Sequence, residues 1–223
     1  MKRSVLPAVF FAVLCLAAIC GYARGSGTGT VSGLVQVHKA KVKTLGPKSF
    51  EDVVVYLEPA VPRAFPRPTE HAVMDQRGLV FIPHVMAVQS GTTVDFLNSD
   101  NDRHNVFFLY DNTGKTLDIG TWGPGQKVSH TLKEPGMVIT LCQLHLEMAA
   151  YILVLKSPFF TAARIDIKTQ QASYEIKGVP AGEYLLKAWH KKLKMKGGAV
   201  RVVVKAGNSL TKDIVITKAK YAK

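Results

Sequence analysis

The sequence has little cysteine, and two common cofactor motifs are missing. Its three cysteines are Cys15, Cys20 and Cys142, and the first two lie in an apolar segment near the start of the chain. No Cys-x-x-Cys-His motif occurs, which excludes covalently attached haem. No His-x-His pair occurs either, which argues against a cluster of several metal ions bound by adjacent histidines.

The first 23 residues have the pattern of a secretory signal peptide. Lys2 and Arg3 precede an uncharged apolar run over residues 5–19, and Gly21-Tyr22-Ala23 offers small residues before a cut after Ala23. The run is shorter than the roughly 20 residues that span a bilayer. We therefore predict cleavage, a periplasmic protein and no integral membrane span after cleavage. The alternative is an uncleaved membrane anchor.

Cleavage would leave Cys142 as the only thiol. The remaining 200 residues could then form no internal disulfide, so the fold must rest on its apolar core. A lone cysteine in an oxidising compartment has four explanations, which are a buried inert thiol, a dimer link, a nucleophile and a metal ligand. The residues around Cys142 have to decide between them.

Acidic residues are also in the minority. After cleavage the chain would contain 27 Lys and Arg residues and 16 Asp and Glu residues, which gives a net charge of +11. This charge favours an acidic partner, although a solvated basic face is the plainer interpretation. No nucleic-acid-binding motif is present, and we expect no nucleic-acid partner.

The chain after residue 23 lacks any sustained 3.6-residue apolar period, so we predict an all-β protein. Short segments rich in Val, Ile, Thr and aromatic residues alternate with Gly, Pro, Asn and Asp, as in a sandwich or barrel. Prolines at 59, 62, 66 and 68 predict a stiff linker or a long edge loop, and Ser157-Pro158 marks a second break. The turn between the strands at 174–176 and 184–189 is predicted at residues 178–182. The predicted strands are 30–37, 52–57, 86–88, 92–97, 106–109, 127–132, 137–141, 151–155, 174–176, 184–189, 199–204 and 212–216.

The segment Cys142-Gln143-Leu144-His145-Leu146-Glu147-Met148 offers a thiolate, an imidazole and a thioether. A tight loop can direct all three at one ion, and soft sulfur with imidazole selects copper. An electron-transfer copper site needs a second histidine from elsewhere in the sheet. The best candidate is His104, in the segment 98–107, and His84 is its rival.

These residues resemble the cupredoxins, the family of plastocyanin, pseudoazurin and amicyanin. His104-Asn105-Val106 is similar to the segment with the family's first copper histidine, and Cys142, His145 and Met148 match the other ligands. The resemblance covers residues 70–156 and implies a Greek-key sandwich that binds one copper ion. It also implies that Asn98 and Asn105 support the ligands. Leu146 replaces the usual proline of amicyanin-like loops.

The flanking segments resemble a carboxypeptidase regulatory-like, transthyretin-like β-sandwich. Residues 30–35 and 52–57 are similar to its opening, and residues 174–184 to its middle. We therefore predict a discontinuous domain at 29–60 plus 158–218, with the copper domain of residues 70–156 inserted into it. The alternative is one enlarged cupredoxin with extra edge strands.

The function predicted from these features is one-electron transfer by a periplasmic type 1, or blue, copper protein. The resemblance implies a redox partner such as a c-type cytochrome or a dehydrogenase. We expect no catalytic residues and no enzyme activity, because nothing in the sequence indicates an open metal position or a general base. The alternatives are a copper chaperone or storage protein, and a structural β-sandwich with an inert Cys142.

Overall fold

The computed structural model describes residues 27–38, 40 and 52–218. The predicted signal peptide lies outside these residues. Within them, no helix is long and apolar enough to cross a membrane.

The described residues form eighteen β-strands and no helix. Most strands are rich in Val, Ile, Thr and aromatic residues, which fit a half-buried pleated surface. The strands are β1 (Thr28–His38), β2 (Asp52–Pro59), β3 (Ala72–Gln76), β4 (Phe81–Ile82), β5 (Val85–Gln89), β6 (Thr92–Asn98), β7 (His104–Tyr110), β8 (Thr116–Trp122), β9 (Lys127–Leu132), β10 (Gly136–Leu141), β11 (Ala149–Leu155), β12 (Phe160–Arg164), β13 (Gln171–Pro180), β14 (Gly182–Trp189), β15 (Leu193–Met195), β16 (Val200–Val204), β17 (Ser209–Thr211) and β18 (Ile214–Lys218).

The two ends of the described chain meet in a nine-stranded sheet. Its order is β12-β2-β14-β15-β18-β1-β13, with β16 paired to β14 and β17 to β1. β1 runs antiparallel to β13, so Val31 lies opposite Ile176, although more than 140 positions separate them in the sequence. Both residues belong to a buried apolar core that also contains Tyr184 and Ile216.

The strands between residues 72 and 155 form two smaller sheets. One has the order β5-β11-β10-β7-β8 and the other β4-β3-β6-β9. Phe96 of the second sheet packs against Phe108 of the first, with ring centroids 5.6 Å apart, inside one buried core. Two sheets that enclose a common core make a β-sandwich, and the predicted all-β fold class is confirmed.

A third apolar cluster joins the small sandwich to the nine-stranded sheet. Val54 of β2 is buried with Val85 of β5 and with Leu153 and Leu155 of β11. Side chains of a strand alternate between its faces, and Ala150, Ile152 and Val154 of β11 point into the small sandwich. β11 is therefore apolar on both faces.

The proline-rich segment after β2 is a packed edge loop. Arg63 Nη2 donates to the Tyr184 hydroxyl oxygen at 2.6 Å, and Phe65 meets Phe159 edge to face, with ring centroids 5.5 Å apart. Gln89 Nε2 donates to the Pro66 carbonyl at 2.8 Å. Of the two predicted interpretations of this segment, the edge loop agrees with these contacts.

Some strand bounds differ from the prediction. β13 continues through Gly178 to Pro180, because its last residues still pair with Thr28 and Gly29 of β1. The turn to β14 is therefore Ala181 alone, shorter than the predicted turn at 178–182. Strands β3, β8, β12, β15 and β17 were not predicted at all.

Candidate metal centre

Strand register brings His104 and Cys142 together. β7 and β10 run antiparallel, and Leu141, the last residue of β10, lies opposite Phe107. Cys142 follows Leu141, and His104 begins β7, three residues before Phe107. Both residues therefore lie at the same end of this strand pair, although 38 positions separate them in the sequence.

The loop that follows β10 is closed by its own backbone. The Cys142 N–H donates to the Met148 carbonyl at 3.2 Å, and the Met148 N–H donates to the His145 carbonyl at 2.9 Å. These bonds hold residues 142–148 in a compact turn. The loop thereby carries the cysteine, the histidine and the methionine in one fixed unit.

The donor atoms of His104, Cys142 and His145 lie within 4.8 Å of one another. The two histidine Nδ1 atoms are 3.1 Å apart, and Cys142 Sγ is 3.7 Å from His145 Nδ1. His104 is fully buried, and Cys142 is 2 % exposed. Within the part of the chain that the structure describes, this is the one group of three or more side chains that could hold a metal ion.

Two separations within this group fit a single small metal ion. Around tetrahedral zinc, with nitrogen at about 2.0 Å and sulfur at about 2.3 Å, two nitrogens lie about 3.3 Å apart and a nitrogen and a sulfur about 3.5 Å apart. The observed separations of 3.1 Å and 3.7 Å are close to both values. A thiolate with two imidazoles is also the chemistry that suits copper.

Met148 is buried in the same apolar core as Cys142, and only 1 % of its surface is exposed. Its position at the end of the closed loop agrees with the predicted fourth ligand. A thioether is a weak, polarizable donor that fits an apolar environment. Met148 as a ligand stays a prediction.

Asn105 bonds to Cys142 and to the loop that follows it. Its backbone N–H donates to Cys142 Sγ at 3.4 Å, and its side-chain oxygen accepts from the Gln143 N–H at 3.3 Å. Its Nδ2 donates to Asp118 Oδ1 at 2.8 Å and to the Gly120 carbonyl at 3.0 Å. Asn105 therefore ties the cysteine loop to β8.

The Gly120 carbonyl is available to Asn105 because β8 is irregular at this point. The register of β7 on β8 shifts between Val106 and Phe107, and Gly120 has a φ of 112°. Glycine adopts this conformation more readily than other residues, as bulges require. The irregularity lies where the Gly120 carbonyl accepts from Asn105 Nδ2.

Asn98 and Asp100 organise the segment before His104. Asn98 Nδ2 donates to the carbonyls of Asp102 and Trp122, at 2.8 Å and 3.1 Å, and Asn98 Oδ1 accepts from the Asp100 N–H. Asp100 Oδ2 lies 2.9 Å from His104 Nε2. Burial alone would raise the pKa of the Asp100 carboxyl, but hydrogen bonds from Gly78, Leu79 and His104 outweigh burial and hold that pKa below its usual value.

Sequence reasoning missed Asp100 and Asp118. Asp100 lies in a polar, turn-like stretch and Asp118 lies on β8, and carboxylates usually face solvent. The spacing of Asp100 four residues before His104 was visible, but spacing in a loop does not reveal which way a side chain points.

His84, the rival to His104, lies in a different environment. Its Nε2 is 3.1 Å from Lys191 Nζ, and its ring meets Tyr151 edge to face. Burial, followed by the nearby Lys191 ammonium, lowers the pKa of His84 to about 4. His84 is not part of the cluster around Cys142.

His145 is the more accessible of the two clustered histidines. It is partly exposed, and its neighbours Leu144 and Leu146 are 53 % and 89 % exposed. These leucines therefore do not pack against the nine-stranded sheet. They form an apolar rim beside the metal centre, and we call Leu144, His145 and Leu146 the leucine rim.

A family model matches the part of the chain that contains this site. Residues 69–155 match the family model for copper binding proteins of the plastocyanin/azurin family. A chloroplastic plastocyanin from Fritillaria agrestis is 36% identical over 76 residues, which cover 30% of this chain and 46% of the plastocyanin. The chain thus spans about half the length of this curated relative.

Solved structures also match part of this chain. An oxidised amicyanin mutant is 25% identical, with a TM-score of 0.35, over 38% of this chain and 81% of the amicyanin. A purple cupredoxin from Nitrosopumilus maritimus is 21% identical, with a TM-score of 0.34, over 37% of this chain and 98% of that protein. A copper-containing nitrite reductase from Thermus scotoductus is 23% identical, with a TM-score of 0.37, over 45% of this chain and 26% of the reductase.

Proposed function

We propose that this chain is a periplasmic one-electron carrier built around the copper-binding cupredoxin domain of residues 69–155. Domains of this family serve copper-based electron transfer in general. The ligands that we propose are His104, Cys142, His145 and Met148. The observation that carries the proposal is the convergence of a thiol and two imidazole nitrogens within 4.8 Å, with the thiol and His104 buried.

The backbone holds the proposed donor atoms in positions that would move little when the copper gains or loses an electron. Copper held by these residues would supply the one-electron change between Cu(II) and Cu(I). The backbone bonds inside residues 142–148 fix the loop donors, and the strand pairing of β7 with β10 fixes His104. The Asn105 N–H faces Cys142 Sγ and spreads the charge of a thiolate. Donors held in advance keep the reorganisation energy small.

Copper storage or transfer is the competing function. Chaperones exchange their ion through accessible ligands, whereas His104 is fully buried and Cys142 is 2 % exposed. An enzyme is the second competitor, since one matching structure is a nitrite reductase. Within residues 27–38, 40 and 52–218, however, no second group of three or more metal-ligating side chains accompanies the first.

Copper loading and a visible spectrum test the proposed function. The purified protein should bind one copper ion per chain and show the intense thiolate-to-Cu(II) absorption of a type 1 site. Weak absorption with one bound copper would instead indicate binding by Met and His alone, as in copper handling. Failure to retain copper would favour a purely structural sandwich.

We further propose that Met148 is the weak axial ligand, which sets the reduction potential. Met148→Gln should keep copper but lower the potential, because an amide oxygen is a harder donor that favours Cu(II). Voltammetry measures this directly. Met137→Gln makes the same change near the start of β10, at the end of the strand far from Cys142. It should leave the potential unchanged. An unchanged or higher potential in Met148→Gln would remove Met148 from the ligand set.

The leucine rim is the proposed port for electrons. An apolar rim lets a partner come close to His145 without holding it tightly, and the net charge of +11 after cleavage would steer acidic partners. A c-type cytochrome or a dehydrogenase with an acidic face fits this description.

Leu144→Lys should slow electron exchange with an acidic c-type cytochrome roughly tenfold, equivalent to about 1.4 kcal/mol. A solvated ammonium interrupts the apolar contact but touches none of the ligands, so the copper spectrum should not change. Stopped-flow mixing at two salt concentrations separates this local effect from steering, which is screened beyond about 8 Å at physiological salt.

Val203→Lys provides the matched control for the leucine rim. Val203 is 51 % exposed, compared with 53 % for Leu144, and it lies on β16 of the nine-stranded sheet. It receives the same charge, so any gain in steering should be similar. Equal rates for the two variants would show that the leucine rim is not the port.

We also propose that the nine-stranded sheet is a separate domain into which the copper domain is inserted. Its strands come from residues 28–59 and 160–218, and no strand of the two smaller sheets pairs with it. The apolar cluster of Val54, Val85, Leu153 and Leu155 would then be the interface between the two domains. The resemblance of this outer part to a carboxypeptidase regulatory-like sandwich stays a prediction.

A further inference from the structure

The second ring nitrogen of His104 faces a carboxylate. His104 Nε2 is 2.9 Å from Asp100 Oδ2, and the His104 side chain is fully buried. A carboxylate at this distance accepts the Nε2 proton, which leaves the Nδ1 lone pair free. That Nδ1 atom is the one that lies 3.1 Å from His145 Nδ1.

The carboxylate of Asp100 is itself fixed by a separate part of the fold. The Gly78 N–H donates to its Oδ1 at 2.6 Å and the Leu79 N–H donates to its Oδ2 at 3.1 Å. The Asp100 N–H also donates to Asn98 Oδ1 at 3.0 Å. Asp100 therefore has little freedom to leave His104.

The turn that holds Asp100 is an unusual one. Gly78 and Leu79 both have positive φ, 67° and 58°, between β3 and β4. Two such residues form a type I′ turn, and a leucine in this conformation costs roughly 1–2 kcal/mol. The turn nevertheless directs two successive N–H groups at one carboxylate, and those bonds offset part of that cost.

We propose that Asp100 is a positioning residue that orients His104 toward copper and places a negative charge next to the site, so that Cu(II) is favoured over Cu(I). This inference rests on the proposed copper function. A neutral acceptor such as a carbonyl would fix the same ring tautomer, but a carboxylate also makes the imidazole a stronger donor. With the Cys142 thiolate, Asp100 supplies a second negative charge, which the higher charge of Cu(II) balances better.

Asp100→Asn tests this role, with Asp102→Asn as the matched control. Asp102 is an exposed acid two positions further along the same segment. Its substitution removes the same charge but leaves the contact between Asp100 and His104 in place. We expect Asp100→Asn to raise the reduction potential and to weaken Cu(II) affinity about 10–100-fold, as loss of a partner of a ligand does elsewhere. Asp102→Asn should leave both values unchanged, and both variants should keep the visible band.

Three results would overturn the proposal. The first is an Asp100→Asn variant whose metal-free form melts earlier while its potential and Cu(II) affinity equal those of the wild type, because Asp100 would then only cap the turn. The second is an equal shift in Asp102→Asn, which would mean that any nearby negative charge changes the potential and that contact with His104 is not required. The third is a wild-type protein that binds no copper, which removes the proposed function as well and so differs from the first two.

A second variant keeps the test decisive if Asp100→Asn does not fold. Asp100→Ser retains a hydroxyl that can accept one N–H bond from the turn but carries no charge. It should raise the potential in the same direction. The metal-free wild type gives an independent reading by proton NMR, in which the His104 Nε2–H should exchange slowly, and rapid exchange of that proton would contradict the contact with Asp100.

Discussion

Cys142→Ser should abolish the intense visible absorption and weaken copper binding by more than about 100-fold, the upper end of the loss seen when only the partner of a ligand is removed. The absorption requires a thiolate bonded to Cu(II), and Cys142 is the one cysteine within the described residues. A serine hydroxyl is neutral at neutral pH and is a harder donor. Absorption spectra with copper titrations measure both effects.

The same substitution also acts on the core, so its effect on folding has to be measured separately. Cys142 is buried in the apolar core of the small sandwich. A buried hydroxyl without a full set of partners costs about 1–3 kcal/mol, although the Asn105 N–H can still donate to it. Thermal unfolding of the metal-free variant and wild type isolates this cost. A folded variant that retains one copper and an intense band would prove the ligand assignment wrong.

Asn105→Ala should weaken copper retention about 10–100-fold and shift the reduction potential. It should also destabilise the metal-free protein by about 2–4 kcal/mol, because its side chain loses three partly buried hydrogen bonds that each contribute about 0.5–1.5 kcal/mol. The partners are the Asp118 carboxylate, the Gly120 carbonyl and the Gln143 N–H, and Asn105 itself is 2 % exposed. Chelator competition, voltammetry and thermal unfolding give the three values.

Asn112→Ala is the control for Asn105. Asn112 lies in the exposed turn after β7, and its Nδ2 donates to the Pro135 carbonyl at 3.2 Å. Loss of one exposed bond should change stability by no more than about 0.5 kcal/mol and should leave copper binding unchanged. If Asn105→Ala matched the wild type in affinity and potential, Asn105 would have no part in the site.

The sequence predicts those strands whose pattern is local. Residues 127–132 were predicted with the bounds that β9 has, because Val128 and Leu132 lie on one face of an otherwise polar, strand-like segment. β8 was missed because only Leu117 and Ile119 alternate with polar residues before Gly120 interrupts the pattern. β3 was missed because Asp75 and Gln76 are untypical of strands, and its parallel pairing with β6 is not visible in a local pattern.

Some residues of the candidate site can likewise be predicted from the local sequence, and others cannot. The Cys142 loop carries three donors in seven residues, so chemistry and resemblance together predict them without coordinates. The contacts of Asn105 could be anticipated because it follows His104 directly. The contact of Asp100 could not, because it depends on a turn at Gly78 and Leu79 that belongs to another part of the chain.

β11 carries apolar side chains on both faces, and this limits how the copper domain can be engineered. A recombinant fragment of residues 69–155 alone would retain every proposed ligand. It would also expose Val85, Leu153 and Leu155 to water, since their neighbours Val54 and Trp189 would be absent. Contiguous apolar surface of this kind promotes aggregation. A soluble miniature of the domain therefore needs polar replacements at these three positions, whereas Ala150, Ile152 and Val154 have to stay as they are.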